Sequence, residues 1–186
     1  MAPMLESRIA ELERQVAEMS RVLERLSAPR ALYLPPFAKV GEGVKIDPTV
    51  TLWCSEDKPI VIGDGARIYR GAELLGPVTI GNGGMINRDA YIRPQTTIGD
   101  RVFFGPFVRV LTDGHEVGAE SQRAGRNMVR PTSIGDGTWV GGGAIILGGV
   151  TIGAGCIVAA GSVVVKDVPD NTLVAGVPAR FVRTLG

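Results

Sequence analysis

The stretch SIGDGTWVGGGAIILGGVTIGAGCIVAAGSVVVKDV, residues 133–168, decides the fold. Aliphatic side chains fall at Ile134, Val140, Ile146, Ile152, Val158 and Val164, six residues apart each time. Two residues before each of the later ones stands a second inward candidate, usually small: Thr138, Ala144, Val150, Cys156 and Ser162. Residues two apart on a strand share a face, so each unit points two side chains inward and then turns. Glycine often follows the aliphatic residue, as in Ile134-Gly135 and Val140-Gly141, and it tolerates the unusual backbone angles of tight turns. A period of six does not fit a helix of roughly 3.6 residues per turn, and glycine is too frequent for one. A two-sheet sandwich would space its strands nearer about 8–12 residues.

Working outward, the same period runs through Ile62, Ile68, Leu74, Ile80, Ile86, Ile92, Ile98, Phe104 and Val110, and before them Val40, Ile46 and Leu52. Their companions are Ala66, Ala72, Val78, Gly84, Ala90, Thr96, Val102 and Val108. A fixed internal period signals a stacked repeat architecture. Three such sides close a triangular coil, and stacked coils pair their strands in parallel. The expectation is an all-β chain, a parallel β-helix of about six coils over residues 37–168, roughly 29 Å tall at about 4.8 Å per coil. Spacing does not settle handedness, and the general crossover rule favours a right hand.

Two interruptions break the period. Between Leu52 and Ile62 a short insertion, CSEDKP, occupies residues 54–59, and between Val110 and Ile134 the pattern lapses over a loop at 111–133. Long loops thrown out of a regular solenoid are usually functional. The loop carries His115, the one histidine of the chain. An imidazole ordinarily titrates near pH ~6.5, which makes it the natural general base at neutral pH.

Upstream, Leu5, Ile9, Leu12, Val16, Met19, Leu23 and Leu26 repeat at alternating steps of four and three, an a/d heptad pattern that predicts a coiled-coil helix over residues 4–28. With Ile9, Val16 and Leu23 at a, Arg8 falls at g and Glu13 at e, the spacing of an interchain ion pair. The stripe needs a partner helix, or else the chain's own body, to cover it. Pro29 stops the helix, and Pro35 and Pro36 stiffen the linker. Residues 169–186 leave the repeat and are expected to cap the last coil.

Composition narrows the function. The chain has 20 Lys+Arg against 19 Asp+Glu, a balance that argues against nucleic acid or an acidic membrane surface as partner. An aromatic share of 5% with 26 glycines fits a narrow interior with many turns. Two cysteines make no disulfide framework. Cys156 occupies an inward position and reads as core, and Cys54 is unassigned. The N-terminus shows no apolar signal region, and no apolar run is long enough to span a membrane. A soluble, cytoplasmic protein is expected. The glycine-rich run at 140–149 lacks the Gly-Lys-Ser/Thr ending of a phosphate loop.

From about Ile80 to Arg183 the chain resembles the galactoside, maltose and related polysaccharide O-acetyltransferases of the hexapeptide-repeat superfamily. The resemblance is carried by IGNGGMINRDAYI (80–92), VRVLTDGHEV (108–117) and the segment from Ser133 through Trp139 and Val-Lys-Asp-Val-Pro to the Gly-x-Pro-Ala-Arg ending at Arg180. It implies a left-handed coil and a homotrimer with active sites between subunits, although a positions of this kind favour two strands. It implies acetyl-CoA as co-substrate, no metal, and a carbohydrate acceptor. His115 falls on the catalytic base, Gly142 on the backbone donor to the oxyanion, and Asn87 with Asp89 on the acceptor site. Trp139, Gly142, Ala160, Lys166, Arg180 and Arg183 fall along the cofactor groove, the three cations suiting the phosphates of CoA. Trp139 fits a subunit interface equally well, and the cations fit a solvated tail. The heptad helix replaces the small N-terminal domain of the galactoside and maltose enzymes, so a simple mono- or disaccharide acceptor does not follow.

O-acyl transfer is the leading expectation. Transfer to an amine, as on an amino sugar, uses the same base and groove, and a non-catalytic scaffold is a further alternative. A carbonic anhydrase on this fold needs three histidines per zinc, and one per chain does not supply them. A nucleotidyltransferase fused to a β-helix would need a further domain before the repeats.

Overall fold

In a computed structural model the described residues are 2–27 and 31–186, with helix side chains described for residues 6–23. The chain divides into two compact units, Met1–Ala31 and Leu32–Gly186. The first is a helix, Ala2–Ser27. Its a/d residues Ile9, Leu12, Val16 and Met19 are all exposed in the single chain, and Glu11 pairs along the surface with Arg14 and Gln15. The side chains of Leu5 and Leu26, and Pro29, lie outside the described residues.

The second unit is a three-faced parallel β-helix. Face 1 stacks Ala38–Val40, Ile60–Ile62, Val78–Ile80, Thr96–Ile98, Thr132–Ile134 and Thr151–Ile152. Face 2 stacks Lys45–Ile46, Arg67–Ile68, Met85–Ile86, Phe103–Phe104, Trp139–Val140 and Ile157–Val158. Face 3 stacks Thr51–Trp53, Glu73–Leu75, Tyr91–Ile92, Arg109–Leu111, Ile145–Leu147 and Val163–Val164. Six coils result, as the period requires, and repeat-equivalent residues lie in register, Ile62 on Ile80 and Phe104 on Val140. From Leu52 onward every aliphatic repeat position is buried, and Val40 and Ile46 are half-buried at the open first coil. The inward hydroxyls are satisfied: Thr138 Oγ1 donates to the Gly153 carbonyl at 2.8 Å and accepts from the Cys156 N–H at 3.1 Å. Burial pushes the Cys156 thiol up from its ordinary range, which leaves it a small core residue.

The glycine that follows each aliphatic residue has a different reason from the one expected. The left-handed backbone angles fall two positions later, at Gly65, Gly83, Gly137 and Gly155, and at Arg101 in the equivalent place. Gly63, Gly81 and Gly99 are needed because a side-chain oxygen from the next coil occupies the space a Cβ would take. Those oxygens form a ladder. Asp64 Oδ1 accepts the Glu42 N–H, Asn82 that of Asp64, Asp100 that of Asn82 and Asp136 that of Asp100, at 2.7–2.9 Å. Each rung satisfies a corner amide that the parallel ladder leaves without a backbone acceptor.

Coiling continues past residue 168. Val168 pairs in parallel with Ile152, Thr172–Gly176 adds to face 2, and Ala179–Thr184 turns back antiparallel along its edge. The insertion at 54–59 is a tight turn closed by reciprocal Ser55–Lys58 backbone bonds. The loop at 111–133 is a projecting antiparallel hairpin, Asp113–Val117 against Ala124–Val129, irregular between His115 and Val117. No six-residue period runs through it because its strands pair with each other and not with a coil.

Candidate active site

The hairpin leaves the end of face 3 after Leu111 and is rooted in the coil. Thr112 is buried, its Oγ1 donates to the Pro94 carbonyl at 2.5 Å, and its own carbonyl accepts the Arg130 N–H at 2.8 Å. His115 sits opposite Asn127 and is exposed, in a cleft lined by Asp113, Gly114, Asn127, Met128 and Val129. Its Nδ1 lies 2.9 Å from the Gly125 carbonyl. A carbonyl only accepts, so Nδ1 carries the hydrogen and Nε2 holds the free lone pair. The neutral imidazole thereby presents Nε2 without a hydrogen.

Neither acidic sequence neighbour orients it. Asp113 is paired with Arg93, which holds its carboxyl below the ordinary value of 3.8, and Glu116 accepts from Arg126 at 2.9 Å. The orienting group is a main-chain carbonyl on the partner strand. Backbone atoms carry no residue signature, so sequence reasoning had no means of finding it.

Gly142, Ala160 and Asn87 share the corner between faces 2 and 3. Ala160 lies on the coil beyond Gly142, whose carbonyl accepts the Gly161 N–H at 2.9 Å. Gly141 donates to Val158 O at 2.7 Å and Gly143 to Pro106 O at 2.8 Å, whereas the Gly142 N–H has no acceptor among the described residues. Gly143 takes a left-handed φ of 69°, which turns the chain tightly here. Asn87 lies two coils earlier, half-buried, with Oδ1 accepting the Arg88 N–H at 2.8 Å. Asp89 holds the left-handed corner position at φ 57°, 3.6 Å from Arg88, and Arg88 lies over the Phe107 ring at 4.7 Å.

Trp139 points outward on face 2 between Phe103 and Ile157, 55% exposed. Lys166 and Arg180 line one pocket over the last coil, with Val164, Asp167 and Phe181 among its walls. Arg183 lies on the final strand opposite Leu173 and is not part of that lining. Among the described residues no group of three His, Cys, Asp or Glu side chains is placed to hold a metal ion, and no helix is long and apolar enough to cross a membrane.

The structure therefore gathers Asn87, Gly142 and Ala160 on one corner, and Lys166 and Arg180 in one pocket. It does not bring His115 to either within one chain. Asn87 and Gly142 precede strands of face 3, whereas the hairpin follows one, and the cleft beside His115 is walled by hairpin residues alone.

Residues 131–166 match the family described as bacterial transferase hexapeptide (six repeats). The galactoside O-acetyltransferase of Escherichia coli is 34% identical over 87 residues, 47% of this chain and 43% of that protein. The chain thus matches less than half the length of that relative. The PerB structure from Caulobacter crescentus, solved with CoA and GDP-perosamine, is similar at 26% identity and TM-score 0.54, over 91% of this chain and 66% of that one. AntD, an N-acyltransferase from Bacillus cereus, shares the fold at TM-score 0.71 and 21% identity, over 80% of this chain and 83% of that one.

Proposed function

We propose that this hexapeptide-repeat chain is a CoA-dependent acyltransferase that moves an acetyl or other short acyl group to a hydroxyl of a sugar or polysaccharide. The observation that carries the proposal is the imidazole of His115, held through Nδ1 by the Gly125 carbonyl so that Nε2 is free to take a proton. In the proposed step Nε2 removes the proton of the acceptor hydroxyl, whose oxygen adds to the thioester carbonyl. The Gly142 N–H, without an acceptor among the described residues, supports a role as donor to the resulting oxyanion, where one such contact is typically worth about 2.7–4 kcal/mol. The carbon–sulfur bond then breaks, and the imidazolium returns its proton to the departing thiolate.

Acyl-CoA suits the residues present. The pocket lined by Lys166 and Arg180 offers two cations to phosphate groups and Phe181 and Val164 to apolar ones. Asn87 is the proposed acceptor contact, with Asp89 beside it. A homotrimer follows from the same reading. His115 lies apart from Gly142 within one chain, so a neighbouring copy is required to complete the site, and the exposed a/d stripe of Ile9, Leu12, Val16 and Met19 provides a second surface that needs partners. Amine transfer is the second reading, favoured by the similarity to PerB, which covers 91% of this chain and whose structure holds an amino-sugar nucleotide.

Acetyl-CoA and longer acyl-CoAs are to be screened against glycans and amino-sugar nucleotides by release of free thiol. Acceptor-dependent release on a hydroxyl supports the leading reading, release with amino sugars alone favours the second, and none with any acceptor would remove both. Light scattering is expected to give three times the 19.6 kDa chain mass, and a monomer or dimer would contradict the shared site.

A further inference from the structure

Asp113 stands two residues before His115, yet its carboxylate reaches down to the coil below. Arg93 Nε donates to Asp113 Oδ1 at 2.8 Å, and Nη2 donates to Oδ2, so the pair is bidentate. The remaining arm, Nη1, donates to the Tyr91 hydroxyl at 2.9 Å, and the guanidinium lies 5.6 Å from the centre of that ring. The two charged side chains are 23% and 34% exposed, so screening by water is partial. The neighbouring residues repeat the fastening, because Pro94 accepts from Thr112. Consecutive residues 93 and 94 thus hold consecutive residues 113 and 112 across one coil step.

The outer half of the hairpin is tied mainly to itself. Its ion pair, Glu116 with Arg126, leaves the arginine side chain 80% exposed, and such pairs contribute little. A lone two-stranded hairpin is marginal in water. The pairing of its two strands, which carries the His115–Gly125 contact, therefore leans on the fastening at its root.

We propose that Arg93 is a positioning residue for His115: its fork on Asp113 fixes the root of the hairpin and so keeps the imidazole where Nδ1 meets the Gly125 carbonyl. The proposal rests on His115 being the general base. A guanidinium fork sets both distance and direction, whereas an ammonium supplies the charge without the geometry. The charged groups around the imidazole are Asp113 and Glu116 on its own strand, Arg126 on the facing strand and Arg93 below. Arg93→Lys leaves their signs unchanged while removing the fork.

The chain has one histidine, so nitrogen NMR of the full protein reads its tautomer without ambiguity. The native chain is expected to hold the Nδ1–H form. Arg93→Lys, and as a second variant the near-isosteric Asp113→Asn, are expected to give mixed tautomers. In each, kcat is expected to fall about tenfold to a hundredfold, with KM for acetyl-CoA unchanged. Arg126→Met, which removes the exposed pair, is expected to change neither readout. A native tautomer retained in both root variants would overturn the proposal, as would an equal disturbance in Arg126→Met. The tautomer is read without substrate, so a native chain inactive toward every acyl donor would remove the acyltransferase reading and leave this test of the hairpin root intact.

Discussion

Replacing His115 by alanine separates chemistry from folding because the structure assigns the side chain so little packing. It is exposed, outside the coil, and its one described hydrogen bond is that of 2.9 Å to the Gly125 carbonyl. A net hydrogen bond contributes about 0.5–1.5 kcal/mol, and an exposed one belongs at the low end. For a chain of this length 1 kcal/mol corresponds to about 2–4 °C in Tm, so the variant is expected to melt within about 6 °C of the native protein. Loss of a positioned general base costs about 10²–10⁴ in kcat, or roughly 2.7–5.4 kcal/mol at 1.36 kcal/mol per tenfold. The catalytic deficit should therefore exceed the stability deficit severalfold. Steady-state thiol release with the acceptor identified in the screen, beside calorimetry and acetyl-CoA titration on the same preparation, measures all three quantities. Near-native turnover in His115→Ala would place the base elsewhere. A lost turnover accompanied by a Tm fall well beyond that bound would mean the residue acts through folding.

Lys166→Ala and Arg180→Ala are each expected to raise KM for acetyl-CoA while affecting its dephospho form much less; equal effects on both donors would refute the phosphate assignment. Phe104 is the largest fully buried side chain of the coil, and Phe104→Ala is expected to cost about 3–5 kcal/mol by denaturant unfolding; a change within about 1 kcal/mol would contradict the packed interior. Arg93 holds the Asp113 carboxyl below its ordinary value of 3.8, so the ion pair contributes stability that is full above that pH and is lost as pH falls further, through the folded value. Amide exchange of the hairpin should accordingly rise in that acid window, and the rise should be absent in Asp113→Asn.

Read from the sequence by itself, the coil was legible almost residue by residue. Its two inward positions recur every six residues, and burial at Ile62, Ile80, Phe104 and Ile146 follows from that local rule because each coil packs only on its neighbours. His115 stood out for the complementary reason, as the one imidazole in the longest stretch where the rule lapses. Tertiary structure alone decided what the lapse contains and what surrounds the imidazole. The hairpin register brings Gly125 across to His115 over ten residues, and the coil step brings Arg93 beneath Asp113 over twenty. The role of the glycines after Ile62, Ile80 and Ile98 was likewise hidden, because the atom that excludes a Cβ comes from the next coil. Contacts of this kind are set by how separate segments stack, and a main-chain carbonyl or a space without a Cβ leaves no pattern in the order of residues.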